Sequence, residues 1–228
     1  GLDFPLVQKA ATGGYDGKGV QVLKSLKDLD AFLEGPSVIE LMVDIRKEIA
    51  VSVAIGQDDQ YAVYPAVEMI FDPKLNLLDF QQCPAALEER TAEEARQLAI
   101  KVARDLNSPG LFAVEMFVDQ QGKVWVNETA PRVHNSGHHT IEANYSSQYD
   151  MLWRIMLGYP LGNTDAILPS AIVNLLGAEG HSGEAVYDNL DEVLKMDNVF
   201  VHLYGKLQTK PGRKMGHVTI MHKDYQDL

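Results

Sequence analysis

Short runs of apolar residues, many of them alternating with polar ones, dominate the pattern along the chain. Alternation with a period of two is typical of strands that bury one face. Residues 71–84 show no regular pattern, and we predict an irregular segment there. The chain is therefore expected to be built mainly on sheets. The predicted strands cover residues 4–9, 20–23, 38–42, 48–55, 61–67, 111–118, 124–128, 200–204 and 217–221.

Helical spacing of apolar residues occurs in fewer places. Residues 91–106 place apolar side chains at intervals of three and four, which predicts an amphipathic helix. Thr91 and Glu94 have the spacing of a capping box at its start. A short helix is predicted after Ser25, whose side chain can cap it, and a longer one over residues 146–157. Strands and helices together indicate the α+β class.

Composition and charge narrow the function. The 228 residues carry a net charge of −12, which argues against a nucleic-acid partner because an acidic surface repels phosphate backbones. No apolar run approaches the roughly 20 residues that span a bilayer, so a membrane role is not expected. Cys83 is the only cysteine, so an intramolecular disulfide is impossible, and the reducing cytoplasm is the expected location.

Two acidic residues on a predicted hairpin give the sharpest chemical signal. If residues 120–123 form its loop, Glu115 lies directly opposite Glu128, at a Cβ separation of about 4.5–5.5 Å. Apolar neighbours on both strands predict that this face is largely buried, so the two like charges would repel. A Mg²⁺ ion between them would remove the conflict, and Asn127 could add an oxygen ligand. The alternative is a solvent-exposed hairpin with two glutamates on its wet face.

A glycine-rich loop follows the first predicted strand. Residues 10–19 hold four glycines, and Lys9 and Lys18 add positive charge at its two ends. Glycines allow backbone amides to face an anion, as they do in phosphate-binding loops. The Gly-Lys-Ser/Thr ending of a Walker loop is missing. A flexible hairpin tip is the alternative interpretation.

A polar segment over residues 127–140 is dense in ionisable groups. It contains Arg132, three histidines and two asparagines. Arginine offers a forked pair of donors, which favours an anionic or phosphorylated ligand. Zinc is the rival ligand, but the histidine spacing matches standard zinc sites poorly and no cysteine is near.

A second concentration of positive charge lies close to the C-terminal end. A phosphate site and a solvated basic hairpin tip are both compatible with it. The tryptophans Trp125 and Trp153 are expected in the core, and the isolated His202 is expected to be a surface or packing residue. The residues of this basic cluster are Lys206, Lys210, Arg213 and Lys214.

Taken together, these segments resemble one family, the N5-carboxyaminoimidazole ribonucleotide synthetases, which are ATP-grasp ligases of purine biosynthesis. The resemblance is carried by residues 14–19 (GYDGKG), 127–138 (NETAPRVHNSGH) and 210–217 (KPGRKMGH), in this order. The stretch 127–138 is highly specific, whereas the glycine loop alone would identify no family. The resemblance extends over nearly the whole chain.

The resemblance implies an α+β architecture with the ATP-grasp fold. A lid subdomain over residues 1–71 would precede an antiparallel-sheet core over 72–163 and a small β-rich unit over 164–228. Relatives also carry an N-terminal Rossmann-like domain ahead of the point where this sequence starts. We therefore expect the sequence to be part of a longer polypeptide.

The resemblance also implies a reaction. ATP would phosphorylate bicarbonate to carboxyphosphate, and the exocyclic amine of 5-aminoimidazole ribonucleotide would take up the carboxyl group, giving N5-carboxyaminoimidazole ribonucleotide, ADP and phosphate. ATP and Mg²⁺ would be the cofactors. Relatives suggest a homodimer.

The family's ATP-binding residues carry over to specific positions. Lys9 and the loop 14–19 would contact the phosphates, Glu40 would face the adenine, and Glu48 would bind the ribose. The residues implied for ATP binding are Lys9, Gly14, Tyr15, Asp16, Gly17, Lys18, Gly19, Glu40, Leu41, Met42, Val43, Glu48 and Asn127.

The remaining implied residues serve the metal and the other substrates. Glu115 and Glu128 would ligate Mg²⁺. The residues implied around bicarbonate and carboxyphosphate are Arg132, His134 and Asn135. The residues implied for the ribonucleotide phosphate are Lys206, Arg213 and Lys214.

Two other hypotheses stay open at this point. One is a different ATP-grasp enzyme, such as a formate-dependent glycinamide ribonucleotide transformylase or a biotin carboxylase, although the basic cluster and the histidine-rich segment argue against both. The other is a nucleotide-binding polypeptide without turnover, which a measurement of ADP release would distinguish from an enzyme.

Overall fold

The computed structural model describes residues 3–14, 19–71 and 78–225. The strands are β1 Leu6–Ala10, β2 Val20–Leu23, β3 Ser37–Leu41, β4 Ile45–Ile55, β5 Tyr61–Val63, β6 Val67–Phe71, β7 Leu78–Cys83, β8 Gly110–Asp119, β9 Val124–Ala130, β10 Ser170–Leu176, β11 Gly183–Glu184, β12 Val199–Leu203, β13 Gln208–Thr209 and β14 Lys214–Met221. The helices are α1 Glu89–Asp105, α2 Thr140–Ala143, α3 Gln148–Leu157 and α4 Leu190–Val193, and 3-10 turns cover Leu26–Ala31 and Asn135–Gly137. These elements confirm the α+β class.

A nine-stranded sheet forms the centre of the described part of the chain. Its strand order is β12-β14-β10-β7-β6-β4-β8-β9, with β5 paired to β4. A separate small sheet, in the order β2-β1-β3, carries the glycine-rich hairpin. Strands from before residue 72 and from after residue 163 both join the large sheet. The division of the chain at residues 71 and 163 stays a prediction.

One face of the large sheet is packed as an ordinary apolar core, and we call it the α1 face. Alternate residues of β4, from Ile49 to Ile55, point to this side together with Val114 and Met116 of β8. Helix α1 covers them with alanines, which let the helix approach closely. Burying each large aliphatic side chain contributes about 1.5–3 kcal/mol. This packing anchors β8, the strand on which the candidate metal ligand Glu115 lies.

The opposite face, which we call the polar face, carries an unusual row of residues. The strand registers pair Thr219 with Ile172, Ile172 with Gln81, and Gln81 with Met69. They continue by pairing Met69 with Glu48. Directly paired residues share a face, so this row crosses five strands, and three of its members, Thr219, Gln81 and Glu48, are polar. Segment 131–147 and helix α3 lie over it.

The capping box predicted at the start of α1 is wrong. The helix begins at Glu89, and Glu88 precedes it without a side-chain cap. Thr91 instead donates a hydrogen bond of 3.2 Å to the carbonyl of Gly122. Glu94 accepts one of 3.4 Å from the amide of Val124. Both side chains therefore tie the helix to the turn between β8 and β9, which a local pattern cannot show.

The predicted capping at Ser25 is confirmed. Its side chain accepts from the amide of Lys27, and Asp28 accepts in return from the amide of Ser25. The structure forms a 3-10 turn there rather than an α-helix. The predicted helix over 146–157 is confirmed as α3, which begins one residue after its cap Ser147.

Two predictions about strands are wrong. The strand predicted over residues 61–67 is two strands, β5 and β6. The segment predicted to be irregular over 71–84 contains β7, which lies inside the large sheet. Its alternation is hidden because the inward-facing Gln81 is polar yet only 1% exposed. Its amide nitrogen donates to the carbonyls of Asn135 and Ser136, and these bonds allow a glutamine where the pattern requires an apolar residue.

The prediction that both tryptophans lie in the core is also wrong. Trp153 is 61% exposed on the outer side of α3. Trp125 is 39% exposed, with its indole N–H donating to Asp119 and the ammonium of Lys123 lying 3.5 Å from the ring centroid. Indole rings tolerate this position because they combine an apolar body with a polar edge. In the described part of the chain, no helix is long and apolar enough to cross a membrane.

Candidate active site

The paired carboxylates occur as predicted, although the ladder that holds them is irregular. Glu115 pairs directly with Glu128. Nearer the turn the pairing is Met116 with Val126, one residue out of step with the predicted register, and the shift lies at Asn127. A bulge of this kind adds one residue to one strand and redirects side chains. The bulge restores the predicted pair and places Asn127 beside it.

Glu115 lies in an environment that disfavours its negative charge. Its pKa is raised to about 7, mainly by burial and then by the neighbouring carboxylates of Glu128 and Glu48, against the opposing effect of Lys214 and Arg132. Burial also raises the pKa of Glu48. Three carboxylates thus crowd one patch of the polar face. Such crowding is typical of a site that binds a cation.

The polar segment supplies the groups beside this patch. The imidazole Nε2 of His134 lies 3.3 Å from Glu115 Oε1, and its Nδ1 lies 3.0 Å from Ser136 Oγ. Arg132 is exposed and donates to the neighbouring carbonyl of Val133. A cationic arginine and an imidazole therefore stand next to the acidic patch, as the sequence predicted for an anion site.

Asn135 shows a different arrangement. Its carbonyl accepts from Gln81, while its side-chain nitrogen Nδ2 is buried without a hydrogen-bond partner among the described residues. A buried donor of this kind is costly unless something accepts from it. It is therefore suited to an anionic ligand.

Three residues predicted for ATP binding meet between the two sheets. The ammonium of Lys9 lies 2.7 Å from Glu40 Oε2 and 2.7 Å from Asn127 Oδ1. Strand β1 is thereby tied to β3 within the small sheet and to β9 of the large sheet. Because Asn127 Oδ1 is used in this contact, the amide belongs to the Lys9 cluster in this structure.

Other predicted ATP-binding residues lie along β3 and its exit. Leu41 and Met42 have exposed side chains. Within the described strands β3 is an edge of the small sheet, so one side of its backbone is open for hydrogen bonding. Val43 follows directly, and no described contact of its side chain bears on the prediction.

The glycine-rich hairpin is described at its base only. Strands β1 and β2 are antiparallel, and the amide of Ala10 donates to the carbonyl of Gly19 at 2.8 Å. Gly19 has a φ of +79°, and a Cβ there would lie 3.3 Å from the Cα of Gly14. Glycine is therefore required to close the loop. The predicted contacts of Tyr15, Asp16, Gly17 and Lys18 lie outside the described residues.

The basic cluster divides into two parts. Lys206 donates to the carbonyl of Lys214, and its ammonium lies 5.5 Å from the ring centroid of Tyr204. Lys214 lowers the pKa of Glu115, so its charge reaches the acidic patch. Arg213 instead donates to the carbonyl of Gln208 at 2.7 Å. The structure therefore brings the charge of Lys214 to the acidic patch, with Lys206 bound to the backbone of Lys214 and Arg213 bound to the backbone of Gln208.

The two glutamates fit a divalent cation that a nucleotide helps to bind. Within the described residues, no group of three or more His, Cys, Asp or Glu side chains is arranged to hold a metal ion. Mg²⁺ is commonly bound by one or two carboxylates together with substrate phosphates. The opposed Glu115 and Glu128, whose mutual repulsion raises the pKa of Glu115, suit this mode.

Sequence reasoning missed a cluster of aromatic and amide side chains behind the site. The ring of His138 stacks on that of His217 at 4.8 Å between centroids, and His217 stacks on His202 at 4.5 Å. Gln148 binds His138 at one end of this stack, and Tyr204 binds the middle ring, His217. The motif 210–217 included His217, but no local signal connected it with residues some 80 positions away. His202 is confirmed as a packing residue, with its Nε2 2.7 Å from Glu142.

Comparison with protein-family models gives two matches. The model described as "ATP-grasp domain" matches residues 1–149. The model described as "Phosphoribosylaminoimidazole carboxylase C-terminal domain" matches residues 170–228.

Curated relatives match over almost the whole of this chain. The N5-carboxyaminoimidazole ribonucleotide synthase of Bacillus subtilis is 39% identical over 224 residues, which cover 96% of this chain and 57% of that protein. The synthase of Mycobacterium tuberculosis strain H37Rv is 37% identical over 235 residues, covering 100% of this chain and 54% of that protein. The chain thus spans about half the length of the curated relatives it matches.

Solved structures agree with the sequence matches. The N5-carboxyaminoimidazole ribonucleotide synthetase from Thermotoga maritima has a TM-score of 0.88 at 42% identity, covering 98% of this chain and 58% of that one. The Aspergillus clavatus enzyme in complex with ADP and 5-aminoimidazole ribonucleotide has a TM-score of 0.88 at 30% identity, covering 99% and 60%. The expectation of an ATP-grasp fold is therefore confirmed. Because the family model matches residues 1–149 and these structures superpose on nearly the whole chain, the protein belongs to the ATP-grasp family.

Proposed function

We propose that the protein takes part in the ATP-dependent carboxylation of 5-aminoimidazole ribonucleotide with bicarbonate. The observation that carries this proposal is the acidic patch of Glu115 and Glu128 flanked by His134, Arg132 and Lys214. An ATP-grasp ligase needs a cation site beside an anion site, and this arrangement provides both. The relatives named above are N5-carboxyaminoimidazole ribonucleotide synthases, and one of them was solved with ADP and the ribonucleotide.

The nucleotide would bind between the two sheets. Lys9 would turn from Glu40 and Asn127 toward the ATP phosphates, and the open edge of β3 would receive the adenine through its backbone. Glu40 and Glu48 would contact the adenine and the ribose. The loop 14–19 would close over the phosphates, because glycine-rich loops can present several amides to an anion.

Glu115 and Glu128 would hold Mg²⁺. The ion would neutralise phosphate charge during phosphoryl transfer. The raised pKa of Glu115 means that its carboxyl group is protonated in part near neutral pH and must lose that proton to act as a ligand. Metal affinity is therefore expected to increase with pH through the region around 7.

The polar segment would hold the small anions. Arg132 offers two parallel donors to bicarbonate and offsets charge that develops on carboxyphosphate. Asn135 Nδ2, buried without a described partner, would donate to the same ligand. His134 lies close enough to Glu115 to exchange a proton with it and to contact a ligand beside it.

Lys206 and Lys214 would bind the phosphate of the ribonucleotide. Lys214 acts electrostatically on Glu115, and Lys206 donates to the carbonyl of Lys214. Arg213 would join them only after it releases the carbonyl of Gln208. The homodimer and the absence of a nucleic-acid or membrane partner stay predictions, and the single buried Cys83 fits a cytoplasmic location.

ADP release tests the proposal most directly. The natural full-length polypeptide carrying this chain would be assayed with Mg²⁺ and bicarbonate, with and without the ribonucleotide. We expect ribonucleotide-dependent ADP release, and a decrease of about 100-fold or more in Glu128→Gln, because loss of a metal ligand removes several kcal/mol of charge stabilisation. Glu93→Gln, on the exposed side of α1, is the matched control and should retain activity.

Other outcomes would change the assignment. Magnesium-dependent ATP binding without ADP release would favour a nucleotide-binding role without turnover. ADP release that depends on glycinamide ribonucleotide and formate would favour the transformylase alternative. Full activity in Glu128→Gln would contradict the proposed metal site.

A further inference from the structure

A continuous series of side-chain contacts connects the polar segment to the basic cluster, and no role in the reaction has yet been given to it. We call it the contact chain. It consists of Gln148, His138, His217 and Tyr204. One end touches His134 and the other end touches Lys206. An inference about the contact chain rests on the function proposed above, because these two ends bind different substrates in that proposal.

Gln148 fixes the first end through an amide that can adopt only one orientation. Its Oε1 accepts from the backbone amide of His134 at 2.9 Å, so its nitrogen must be the other end of the amide group. That Nε2 donates to the carbonyl of His134 at 3.0 Å and approaches Nδ1 of His138 at 2.9 Å. A Cβ on Gly137 would lie 2.5 Å from Gln148 Oε1, so the turn closes tightly around the amide.

This orientation determines the state of His138. Because Gln148 donates to it, His138 Nδ1 must be an acceptor, and the ring is the neutral form with its proton on Nε2. The hydroxyl of Tyr149 also lies near this nitrogen, at 3.3 Å. Burial, followed by the charges of His202 and Lys214, lowers the pKa of His138 to about 4, which agrees with the neutral form. A neutral ring can stack on His217 without charge repulsion.

His217 is connected to the basic cluster through Tyr204. It is 2% exposed, and its Nδ1 lies 2.9 Å from the hydroxyl of Tyr204. The same tyrosine is held by its backbone, whose amide donates to the carbonyl of Met215 at 2.9 Å. The ring of Tyr204 then lies under the ammonium of Lys206, which in turn donates to the carbonyl of Lys214.

The composition of the contact chain is not what packing alone requires. An apolar cluster could connect the segment to the sheet with less desolvation, and buried polar side chains stabilise only when they are well paired. Every contact described here depends instead on a specific hydrogen bond or ring stack. A series of this kind has one favoured geometry, so a change at one end is transmitted to the other.

We propose that the contact chain is a positioning device, which aligns Arg132 and His134 for carboxylation when the ribonucleotide phosphate binds Lys206 and Lys214. Its members do not touch the reacting atoms. They set the distance between the two anion sites, so that ADP release becomes faster when both are filled.

Two matched substitutions test this role in the natural full-length polypeptide. Tyr204→Phe deletes the hydroxyl that binds His217 but keeps the ring under Lys206. Tyr159→Phe deletes the hydroxyl of a tyrosine that is 62% exposed and is not a member of the contact chain. Both remove one oxygen from a tyrosine, and thermal melting would check that both variants are folded.

The expected readout is a change in KM and in the stimulation by the ribonucleotide. In Tyr204→Phe we expect the KM for the ribonucleotide to increase about fivefold, the value for one hydrogen bond, and the stimulation to decrease similarly. The bicarbonate-dependent rate without ribonucleotide should change less than about twofold, as should every parameter of Tyr159→Phe. A merely structural role would reduce the amount of active enzyme and leave the KM unchanged.

His217→Phe is a second variant in case the first is uninformative. It keeps a flat ring in the stack and deletes the same hydrogen bond from the other side. We expect the phenotype of Tyr204→Phe, and the double variant should be no worse than either single one, since all three lack one bond. Equal effects of Tyr204→Phe and Tyr159→Phe, or effects that multiply in the double variant, would overturn the inference.

A spectroscopic measurement separates this inference from the proposed function. The ¹⁵N resonances of the His138 ring would be followed while inorganic phosphate is added, which requires no turnover. We expect them to shift in the wild type and in Tyr159→Phe but not in Tyr204→Phe. If the wild type releases no ADP, the proposed function fails while this titration still decides the coupling. An unchanged His138 resonance in the wild type would overturn the positioning inference even if the enzyme is fully active.

Discussion

The two faces of the large sheet are stabilised in different ways, although the same strands form both. On the α1 face, Val51 and Met116 are almost fully buried among aliphatic and alanine side chains. On the polar face, Glu48 and Gln81 occupy the corresponding inward positions, and Glu115 lies beside them. The α1 face gains stability from burial of apolar area, whereas the polar face depends on specific partners. The difference shows that one strand can provide the rigidity on one side that holds reactive groups in place on the other.

With the exception of Thr209 Oγ1, the unpaired buried atoms of the described residues follow the same division. Within the described residues, the buried side-chain atoms without a hydrogen-bond partner include Gln81 Oε1, Asn135 Nδ2, Asn174 Oδ1, His217 Nε2 and Thr219 Oγ1. All of these belong to the polar face or to the segment that covers it. Such atoms weaken a fold unless a ligand or water satisfies them. The polar face is therefore the part of the molecule where we expect stability to depend on ligands and on pH.

The largest change in stability is expected when a charge is placed on the α1 face. We expect Ala99→Asp to lower the free energy of unfolding by about 4 kcal/mol, because an unpaired carboxylate would be buried at a position that is 0% exposed. Urea denaturation would measure the change. Gln97→Asp, on the exposed side of the same helix, is the control and should change stability by less than about 1 kcal/mol. Comparable decreases in the free energy of unfolding for Ala99→Asp and Gln97→Asp would contradict the apolar packing of the α1 face.

A buried histidine should make the polar segment sensitive to acid. The pKa of His139 is lowered to about 4, mainly by burial, while the hydrogen bond to the carbonyl of Ser136 raises it and the neighbouring His138 lowers it. Because this pKa is below the ordinary value of about 6.5, the unfolded chain takes up the proton first, and stability is lost as the pH falls through this window. We expect His139→Asn, which can keep the bond to Ser136, to reduce the loss between pH 7 and pH 5 by about 2 kcal/mol.

The control for this measurement is the exposed His181. His181→Asn should leave the pH dependence of unfolding unchanged. Equal pH dependence in the wild type and in His139→Asn would mean that His139 is charged in the folded protein.

The acidic patch should have the opposite dependence on pH. The pKa of Glu115 is raised to about 7, mainly by burial and then by Glu128 and Glu48, so the folded chain holds a proton that the unfolded chain has lost. Stability is therefore lost as the pH rises from about 4.5 toward 7. Without Mg²⁺ and nucleotide, we expect Glu115→Gln to increase the free energy of unfolding at pH 8 by about 1–2 kcal/mol, and to have little effect at pH 5.

Glu179→Gln provides the comparison at an exposed loop position, and its effect should be small at both pH values. Destabilisation by Glu115→Gln at pH 8 would indicate that the carboxylate is well paired in the folded protein.

The smallest changes in stability are expected from two nearly isosteric substitutions, one on each face of the sheet. Thr219 is fully buried, and its hydroxyl has no partner in the described part of the chain, so Thr219→Val should be neutral or stabilising by about 0.5–1 kcal/mol. Val51→Thr places the same hydroxyl on the α1 face and should destabilise by about 1–2 kcal/mol. Chemical denaturation of both variants would measure the difference. If both substitutions destabilise the protein, a bound water forms a hydrogen bond with the hydroxyl of Thr219.

Sequence reasoning succeeded best where the information was local. The pair Glu115 and Glu128 followed from strand alternation and a loop of known length, although the bulge at Asn127 was not foreseen. The pair was correct because the bulge compensated for an error of one residue in the register near the turn. A bulge arises from the twist and packing of neighbouring strands, and no residue of this hairpin predicts it.

Prediction from the sequence failed where a side chain forms hydrogen bonds with residues far away along the chain. Thr91 and Glu94 have the pattern of a cap but bind the turn between β8 and β9. Gln81 looks like part of an irregular segment, yet it lies in the middle of the sheet because its partners come from residues 135 and 136. Hydrogen bonds between distant segments leave no periodic signal in the sequence.

By itself the sequence determined the class of the fold, the two carboxylates, the polar segment 127–140 and the basic cluster, because each depends on residue types within a short stretch. Only the tertiary structure decided that β7 lies inside the sheet, that Lys9 meets Asn127, and that Gln148 and His217 both contact His138. These contacts join strands and loops far apart in the chain. They form because antiparallel pairing places distant residues side by side, and that pairing is selected by the packing of the whole sheet.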